Sequence, residues 1–161
     1  MLTHFLYRTL SQVAAIFFNL LNALLGGNLP PFGHVTVVVE EQDRYLLIEG
    51  PKGKLIFPGG FMRWREPPTC TGIRECEEET GLRVQINAAD IVGSYSHISS
   101  RFNQMSTLTL VYRGKVPGGE LRKSIEGHPC WLNETEVSSR LAECYQCILE
   151  DYLRSHAQHS P

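Results

Sequence analysis

The chain has 161 residues, of which 42% are hydrophobic, and this is enough for one compact domain but too little for two ordinary ones. Its formal net charge is −2, whereas a protein that binds duplex nucleic acid usually carries a strong basic excess. The composition therefore argues against duplex nucleic acid as a partner. A small phosphorylated ligand remains possible, because binding it needs only a local cluster of charge.

The cysteines number five and are scattered along the chain, at positions 70, 76, 130, 144 and 147. An odd, scattered set argues against a disulfide framework. The Cys144-x-x-Cys147 pair has no second pair with which to complete a zinc site, and we expect both residues to be small core residues. A reducing, cytoplasmic compartment is therefore expected.

Residues 1–25 predict an amphipathic helix with a wide apolar face. Gly26 and Gly27 are expected to end this helix, and Pro30-Pro31 should prevent it from resuming. We therefore divide the chain into a helix and linker, residues 1–29, and a domain, residues 30–161. The apolar face contains ten side chains at helical spacing: Leu2, Phe5, Leu6, Leu10, Val13, Ile16, Phe17, Leu20, Leu21 and Leu24.

Three roles compete for this helix, namely packing on the protein itself or on a second copy, lying on a membrane surface, and acting as an export signal. Arg8 is its single basic residue, so attraction to anionic lipid would be weak. Asn19 and Asn22 interrupt the apolar run, which disfavours a spanning helix. No convincing cleavage site follows a short apolar core. We expect internal packing or a homodimer, with membrane-surface contact as the alternative.

After the linker, the hydrophobic pattern changes to that of alternating strands and helices. The β-branched run 35–39 predicts a strand, and a polar turn at 41–43 leads to a second strand at 44–49. Residues 55–57 predict a third strand, which Pro58-Gly59-Gly60 would stop. A helix is expected at 69–80, strands at 84–86 and 105–112, and a helical tail from about 134. This order indicates an α/β/α sandwich around a mixed sheet.

The segment Gly60–Leu82 contains the residues that point to chemistry. Glu75, Glu78 and Glu79 stand at i, i+3 and i+4, so their carboxylates lie on one face of the predicted helix and repel one another. A divalent ion reverses that cost, and closely grouped oxygen ligands suit Mg²⁺ or Mn²⁺. At the Gly59-Gly60 turn, no side chain keeps backbone carbonyls away from the same point. An isolated acidic run would be only a solvated helix face.

The segment as a whole resembles the Nudix box. That pattern reads Gly, five residues, Glu, seven residues, Arg-Glu, an apolar residue, any residue, Glu-Glu, any residue, Gly, and an apolar residue. Cys76 is the one soft departure, because a larger aliphatic residue is usual there. All the fixed positions match: Gly60, Glu66, Arg74, Glu75, Glu78, Glu79, Gly81 and Leu82. The resemblance implies a Nudix-type α/β/α sandwich around a mixed β-sheet, here with an extra N-terminal amphipathic helix.

By this resemblance the chain is expected to be a pyrophosphohydrolase that cuts a phosphoanhydride bond in a nucleoside diphosphate linked to another group. The family's roles place Mg²⁺ or Mn²⁺ on Glu75, Glu78, Glu79 and the Gly60 carbonyl. Arg74, paired with Glu66, should orient the carboxylates. The general base would be Glu75 or Glu78, while in other members a glutamate on a later loop serves, for which the candidates here are Glu120 and Glu126.

Substrate choice is expected to depend on residues outside the fixed positions of the box. Aromatic side chains could stack on a base and arginines could meet a phosphate, although Phe61 and Tyr95 could equally be core residues. The candidates are Phe61, Arg63, Trp64, Tyr95, Arg101 and Glu126. ADP-ribose-like nucleotides, nucleotide sugars, nucleoside triphosphates and dinucleoside polyphosphates all remain as candidate substrates. The alternative function is a catalytically silent module that senses a nucleotide.

Overall fold

The computed structural model describes residues 13, 16–50, 53–99 and 105–157. Within these ranges the elements follow in the order α1 (16–24), β1 (Phe32–Glu41), β2 (Arg44–Glu49), β3 (Leu55–Ile56), β4 (Gly59–Phe61), α2 (Pro68–Thr80), β5 (Gln85–Ser99), β6 (Met105–Lys115), β7 (His128–Asn133), α3 (Glu134–Arg140) and α4 (Gln146–Ala157). A 3₁₀ helix, Glu143–Tyr145, lies between α3 and α4. Two compact units result, one from the described parts of Met1–Gly33 and Ser96–Leu108, the other from those of His34–Tyr95 and Thr109–Pro161.

The strands form a mixed sheet, as predicted, and β1 lies at its centre. The strand order is β3-β2-β1-β6-β5, while β4 also pairs with β1 and β7 with β2. β1 and β2 are antiparallel and are joined by the two-residue turn Gln42-Asp43. Both turn residues have positive φ, 52° and 59°. Such turns twist in the same sense as the strands that they connect, so this hairpin needs no longer loop.

Helices cover both faces of the sheet in the second unit, which confirms the predicted α/β/α sandwich. On one face, alternate valines of β1 form a core cluster with Cys76 of α2: Val35, Val37 and Val39. On the other face, Val38 and Leu47 form a second cluster with Ile148, Leu149 and Tyr152 of α4. The alternation of side chains along β1 therefore places consecutive valines in two different cores.

The N-terminal amphipathic helix is present as α1, although residues 1–12 and 14–15 of the prediction lie outside the described residues. It ends as expected, because Gly26 and Gly27 have positive φ and the Gly27 N–H donates to the Asn22 carbonyl at 2.8 Å. Phe18 packs edge-on against Phe32, with ring centroids 4.9 Å apart. Over the described ranges, no helix has both the length and the apolar character that crossing a membrane requires.

Three strands differ from the predictions. Gly59 and Gly60 do not merely stop a strand but belong to β4, which pairs with β1 in the register Val35↔Gly60. β7 was not predicted at all, and it pairs with β2 along its whole length. β5 runs on to Ser99, so Tyr95 lies inside a strand and not between strands. For β4 and β7, pairing with a strand that is distant in the sequence decides the conformation, and local composition does not indicate it.

The predicted continuous C-terminal helix is in fact two α-helices with a 3₁₀ turn between them. α3 begins at a capping box of two hydrogen bonds. The Glu136 N–H donates to the Asn133 side chain, and the Asn133 N–H donates to the Glu136 carboxylate. At Leu141 the backbone becomes extended, with ψ 138°. All five cysteines are free, but Cys144 and Cys147 are exposed, so the expectation that they are core residues was wrong.

Candidate active site

Helix α2 begins and ends where the sequence predicts. Pro68 occupies its first turn, where a missing N–H has no cost, and Gly81 ends it in the left-handed conformation with φ 80°. The three box glutamates line one cavity of about 600 Å³ on this helix. Their exposure differs: Glu79 is buried, the Glu75 side chain is 15% exposed and that of Glu78 is 51% exposed.

The Gly59-Gly60 turn lies directly against two of these carboxylates. The Gly59 N–H donates to Glu79 Oε2 at 2.9 Å. A β-carbon at Gly60 would collide with the Glu75 carboxyl group, and one at Gly59 would collide with the Val35 carbonyl. The absence of side chains at both positions therefore brings the backbone of the turn against the carboxylates of α2. That the Gly60 carbonyl joins these carboxylates at a metal ion stays a prediction.

Arg74 connects the carboxylates with one another. It donates from Nε and Nη2 to both oxygens of Glu66, at 2.8 and 2.9 Å, and from Nη1 to Glu75 Oε1 at 2.6 Å. Nη1 also approaches Glu78 Oε2 at 3.4 Å. The Arg74 hydrogen bonds hold the pKa of Glu66 down at about 2, and the same pairing raises the pKa of Arg74. The predicted pairing of Arg74 with Glu66 is thus observed.

Glu79 and Glu126 both line the cavity and are joined by a hydrogen bond between their carboxyl groups. Burial raises the pKa of Glu79 well above the usual range of a carboxyl, and a hydrogen bond with the Glu126 carboxyl raises it further, whereas the Gly59 N–H acts in the opposite direction. Glu126, one of two later-loop candidates for the base, therefore reaches the box glutamates. Glu120 does not line this cavity.

The oxygen donors of the cavity suit a divalent cation in their chemistry, although hydrogen bonds hold them apart. Among the described residues, no three Asp, Glu, His or Cys side chains surround one point closely enough to hold an ion as they stand. The hydrogen bonds explain this, because Arg74 draws Glu75 aside while Gly59 and Glu126 engage Glu79. The donors are all oxygen atoms of closely grouped carboxylates, and because Gly60 has no side chain its backbone can lie next to Glu75. This set matches the ligand preference of Mg²⁺ or Mn²⁺.

The predicted substrate-binding residues do not share one location. Phe61 and Trp64 are 45% and 89% exposed, and Arg63 pairs with Glu78 at 3.2 Å. Tyr95 packs against the core on the α4 side, and its hydroxyl donates to Asp151 at 2.9 Å. It is not among the residues that line the acidic cavity. Arg101 lies outside the described residues.

Sequence reasoning missed one wall of the cavity. Lys123, Ser124 and Ile125 line it together with Glu126. They precede β7, a strand that was not predicted, so nothing local indicated that this loop faces α2. It also missed Thr71, whose hydroxyl donates to Glu66 Oε2 at 2.9 Å; its position five residues after Glu66, at the start of a predicted helix, was a usable signal.

Comparison with known proteins agrees with this geometry. The family model of the NUDIX domain matches residues 30–152. A MutT-like protein from Streptomyces ambofaciens is 36% identical over 135 residues, which cover 81% of this chain and 83% of that protein. An ADP-ribose pyrophosphatase from Methanocaldococcus jannaschii is 28% identical over 130 residues, which cover 78% and 75%. A solved Nudix hydrolase from Nitrosomonas europaea aligns with a TM-score of 0.68 at 26% identity, covering 78% of this chain and 90% of that one.

Enzymes of this family act on small nucleotide substrates and generally use divalent metal ions. The chain belongs to the Nudix hydrolase family and is a Nudix pyrophosphohydrolase.

Proposed function

We propose that this enzyme hydrolyses a phosphoanhydride bond in a nucleoside diphosphate linked to another group, and that it requires Mg²⁺ or Mn²⁺. The observation that carries the proposal is the single cavity shared by Glu75, Glu78, Glu79 and Glu126. ADP-ribose-like nucleotides, nucleotide sugars and nucleoside triphosphates are the candidate substrates. Since one relative is named an ADP-ribose pyrophosphatase, ADP-ribose is the first to test.

The ion would be held by Glu75, Glu78, Glu79 and the Gly60 carbonyl. When bound, it neutralises phosphate oxygens and stabilises the charge of the leaving group, which is worth several kcal/mol. Arg74 and Glu66 keep the carboxylates at fixed distances from the Gly59-Gly60 turn. Their two-point contact prevents rotation of either side chain, so the site is organised before the substrate arrives.

A carboxylate of the cavity accepts the proton of the attacking water. We assign this role to Glu75 or Glu78, with Glu126 as the competing candidate because it lines the same cavity. General base catalysis typically contributes roughly 10²- to 10⁴-fold. The three single Glu→Gln variants distinguish the candidates: replacing the base removes the rise of kcat with pH, whereas replacing a group that only binds changes KM or the metal requirement.

Substrate recognition is assigned to exposed side chains near the box. Phe61 and Trp64 offer apolar surface for a base, and Arg63 offers a guanidinium for a phosphate, at present paired with Glu78. Tyr95, Arg101 and Glu126 stay predictions as substrate-binding residues.

The test uses two glutamates of the same helix. Glu79→Gln should abolish metal-dependent release of phosphate or nucleoside monophosphate from a panel of nucleotides and leave the fold intact. Glu77→Gln is the matched control, because Glu77 lies outside the cavity and its carboxylate faces Arg83 at 3.8 Å. Full activity in Glu79→Gln would overturn the metal-site assignment. Nucleotide binding without any turnover by the unmodified protein would favour the sensing module instead.

Residues 1–29 are proposed to lie outside the catalytic domain. Along α1 the side chains of Ile16, Phe17, Leu20 and Leu24 are each more than half exposed. A second copy of the chain and a membrane surface stay the two predicted partners of this face. Sedimentation of the protein and of Leu20→Asp tests the first, and flotation with phosphatidylcholine vesicles tests the second.

A further inference from the structure

The loop from Arg122 to Gly127, here called the 122–127 loop, forms the wall of the cavity opposite the box glutamates. Four of the seven residues that line the cavity belong to it, namely Lys123, Ser124, Ile125 and Glu126. The remaining three are Glu75, Glu78 and Glu79. A group that fills the cavity beside α2 therefore contacts this loop.

The loop is fixed at both ends. At its start, the Arg122 N–H donates to the Thr80 carbonyl at 2.8 Å, and Gly81 lies so close that a β-carbon there would be 2.9 Å from Arg122 Nε. At its end, a β-carbon on Gly127 would collide with the backbone of Glu49. The loop is thus anchored to the C-terminus of α2 and to β2, so its central residues have a defined place beside the cavity.

Hydrogen bonds also fold the middle of the loop into a compact turn. The Ser124 N–H donates to the Gly127 carbonyl at 3.2 Å, and the Glu126 N–H donates to Ser124 Oγ at 3.2 Å. Inside this turn the Ile125 side chain is fully exposed. A large aliphatic group held in water at the edge of a reaction cavity is well placed to contact the apolar face of a ligand, because burying it gains free energy.

Lys123 supplies a charge of the opposite sign to the rest of the cavity. It is the cation among the seven lining residues, four of which are glutamates. Its ammonium provides a binding point for a phosphate oxygen that the carboxylates would repel.

We propose that the 122–127 loop shares substrate selection with the exposed residues near the box: Ile125 contacts the nucleobase and Lys123 binds a phosphate oxygen of the same nucleotide. The inference rests on the proposed function for its substrate class. A base fits Ile125 better than a sugar does, since a flat ring offers apolar surface without hydroxyl groups to desolvate. Both residues are specificity-determining and neither takes part in the chemical step.

The kinetic test compares Ile125→Ser with Ile91→Ser, a control in which a half-exposed isoleucine of β5 outside the cavity loses the same side chain. Ile125→Ser should raise KM for a nucleotide substrate about tenfold while kcat stays within twofold, and should leave hydrolysis of inorganic triphosphate unchanged. Lys123→Gln should raise KM for both compounds. Equal KM values in Ile125→Ser and Ile91→Ser would overturn the proposal.

A binding measurement separates this inference from the proposed function. Calorimetric titration with AMP and with adenosine needs no turnover. Ile125→Ser should weaken both ligands, whereas Lys123→Gln should weaken AMP alone. If no nucleotide is hydrolysed but these losses appear, the loop assignment stands and the hydrolytic proposal fails. If hydrolysis occurs and neither variant changes binding, or if the unmodified protein binds no AMP at millimolar concentration, the loop assignment fails.

Discussion

Arg74 and Glu66 meet in a two-point contact, with Nε and Nη2 of the guanidinium donating to the two carboxylate oxygens at 2.8 and 2.9 Å. Both side chains are about 15% exposed, so water competes only weakly for them. The third nitrogen, Nη1, donates to Glu75. The pair therefore connects the loop that precedes α2 with the carboxylates on the helix itself.

Replacing this guanidinium by an ammonium should cost activity without unfolding the protein. Arg74→Lys keeps the charge but cannot donate to both oxygens of Glu66 while also reaching Glu75. Loss of such an orienting contact typically costs about 10- to 100-fold in activity or metal affinity, and kcat measured against Mg²⁺ concentration would show it. Arg154→Lys is the control, because Arg154 forms exposed ion pairs on α4. Activity in Arg74→Lys within twofold of the original would contradict the role.

The close approach of Gly60 to Glu75 makes a second prediction. In Gly60→Ala the new methyl group would displace the Glu75 carboxyl, which is the mobile end of a side chain, so the fold should survive. A displacement of about 1 Å in a reacting site can cost about 100-fold in rate. We expect a loss of that order in kcat/KM with an almost unchanged melting temperature. Gly50→Ala should have neither effect, since a β-carbon there meets its neighbours at 3.7 Å or more. Normal activity in Gly60→Ala would show that Glu75 tolerates displacement.

How far the sequence predicts the site depends on the range of the interactions involved. The box helix could be placed almost to the residue, because its periodicity, its prolines and Gly81 all act within a few positions of the chain. The Arg74–Glu66 pairing also follows from the box pattern. The opposite wall could not be placed, because the 122–127 loop reaches α2 through one backbone hydrogen bond, from Arg122 to Thr80, between residues far apart in sequence.

The strands also differ in how far local sequence predicts them. β1 and β2 could be predicted from their β-branched and aliphatic runs, whereas β4 contains two glycines and β7 contains Pro129 as its second residue. Glycine and proline indicate turns when only local preferences are considered. Pairing overrides them here, since Gly60 lies opposite Val35 and Trp131 opposite Leu46. β4 and β7 both adjoin the cavity, because Gly60 of β4 lies against Glu75 and the 122–127 loop leads directly into β7.

The Tyr152 hydroxyl should contribute measurably to stability. It donates to Glu40 Oε2 at 2.9 Å from a side chain that is 1% exposed, and the Arg113 guanidinium lies 5.0 Å from the ring centroid. Tyr152→Phe keeps the ring contacts and removes the hydroxyl, which should lower the free energy of unfolding by about 1–2 kcal/mol. Urea denaturation measures this. Activity should stay within twofold, because Tyr152 does not line the acidic cavity. A loss below about 0.3 kcal/mol would show that the hydrogen bond offsets only its own desolvation.

His34 should make the protein less stable as the pH falls below neutrality. Its ring lies edge-on to Phe61, with centroids 5.3 Å apart, and burial lowers the pKa of His34 to about 4. Among the described residues, nothing hydrogen-bonds to its buried Nδ1. In the unfolded chain its pKa returns to about 6.5, so between those values the unfolded state binds more protons and stability rises with pH.

The contribution of His34 is therefore complete above about pH 6.5 and is lost as the pH falls toward 4. Between pH 6.5 and 5 the loss should be about 2 kcal/mol, since each pKa unit corresponds to about 1.4 kcal/mol. His34→Phe keeps an aromatic contact with Phe61 and removes the titration, so its unfolding free energy, measured by urea denaturation, should fall less over the same interval. Parallel curves for the two proteins would mean that the His34 imidazole is protonated in the folded state at pH 5.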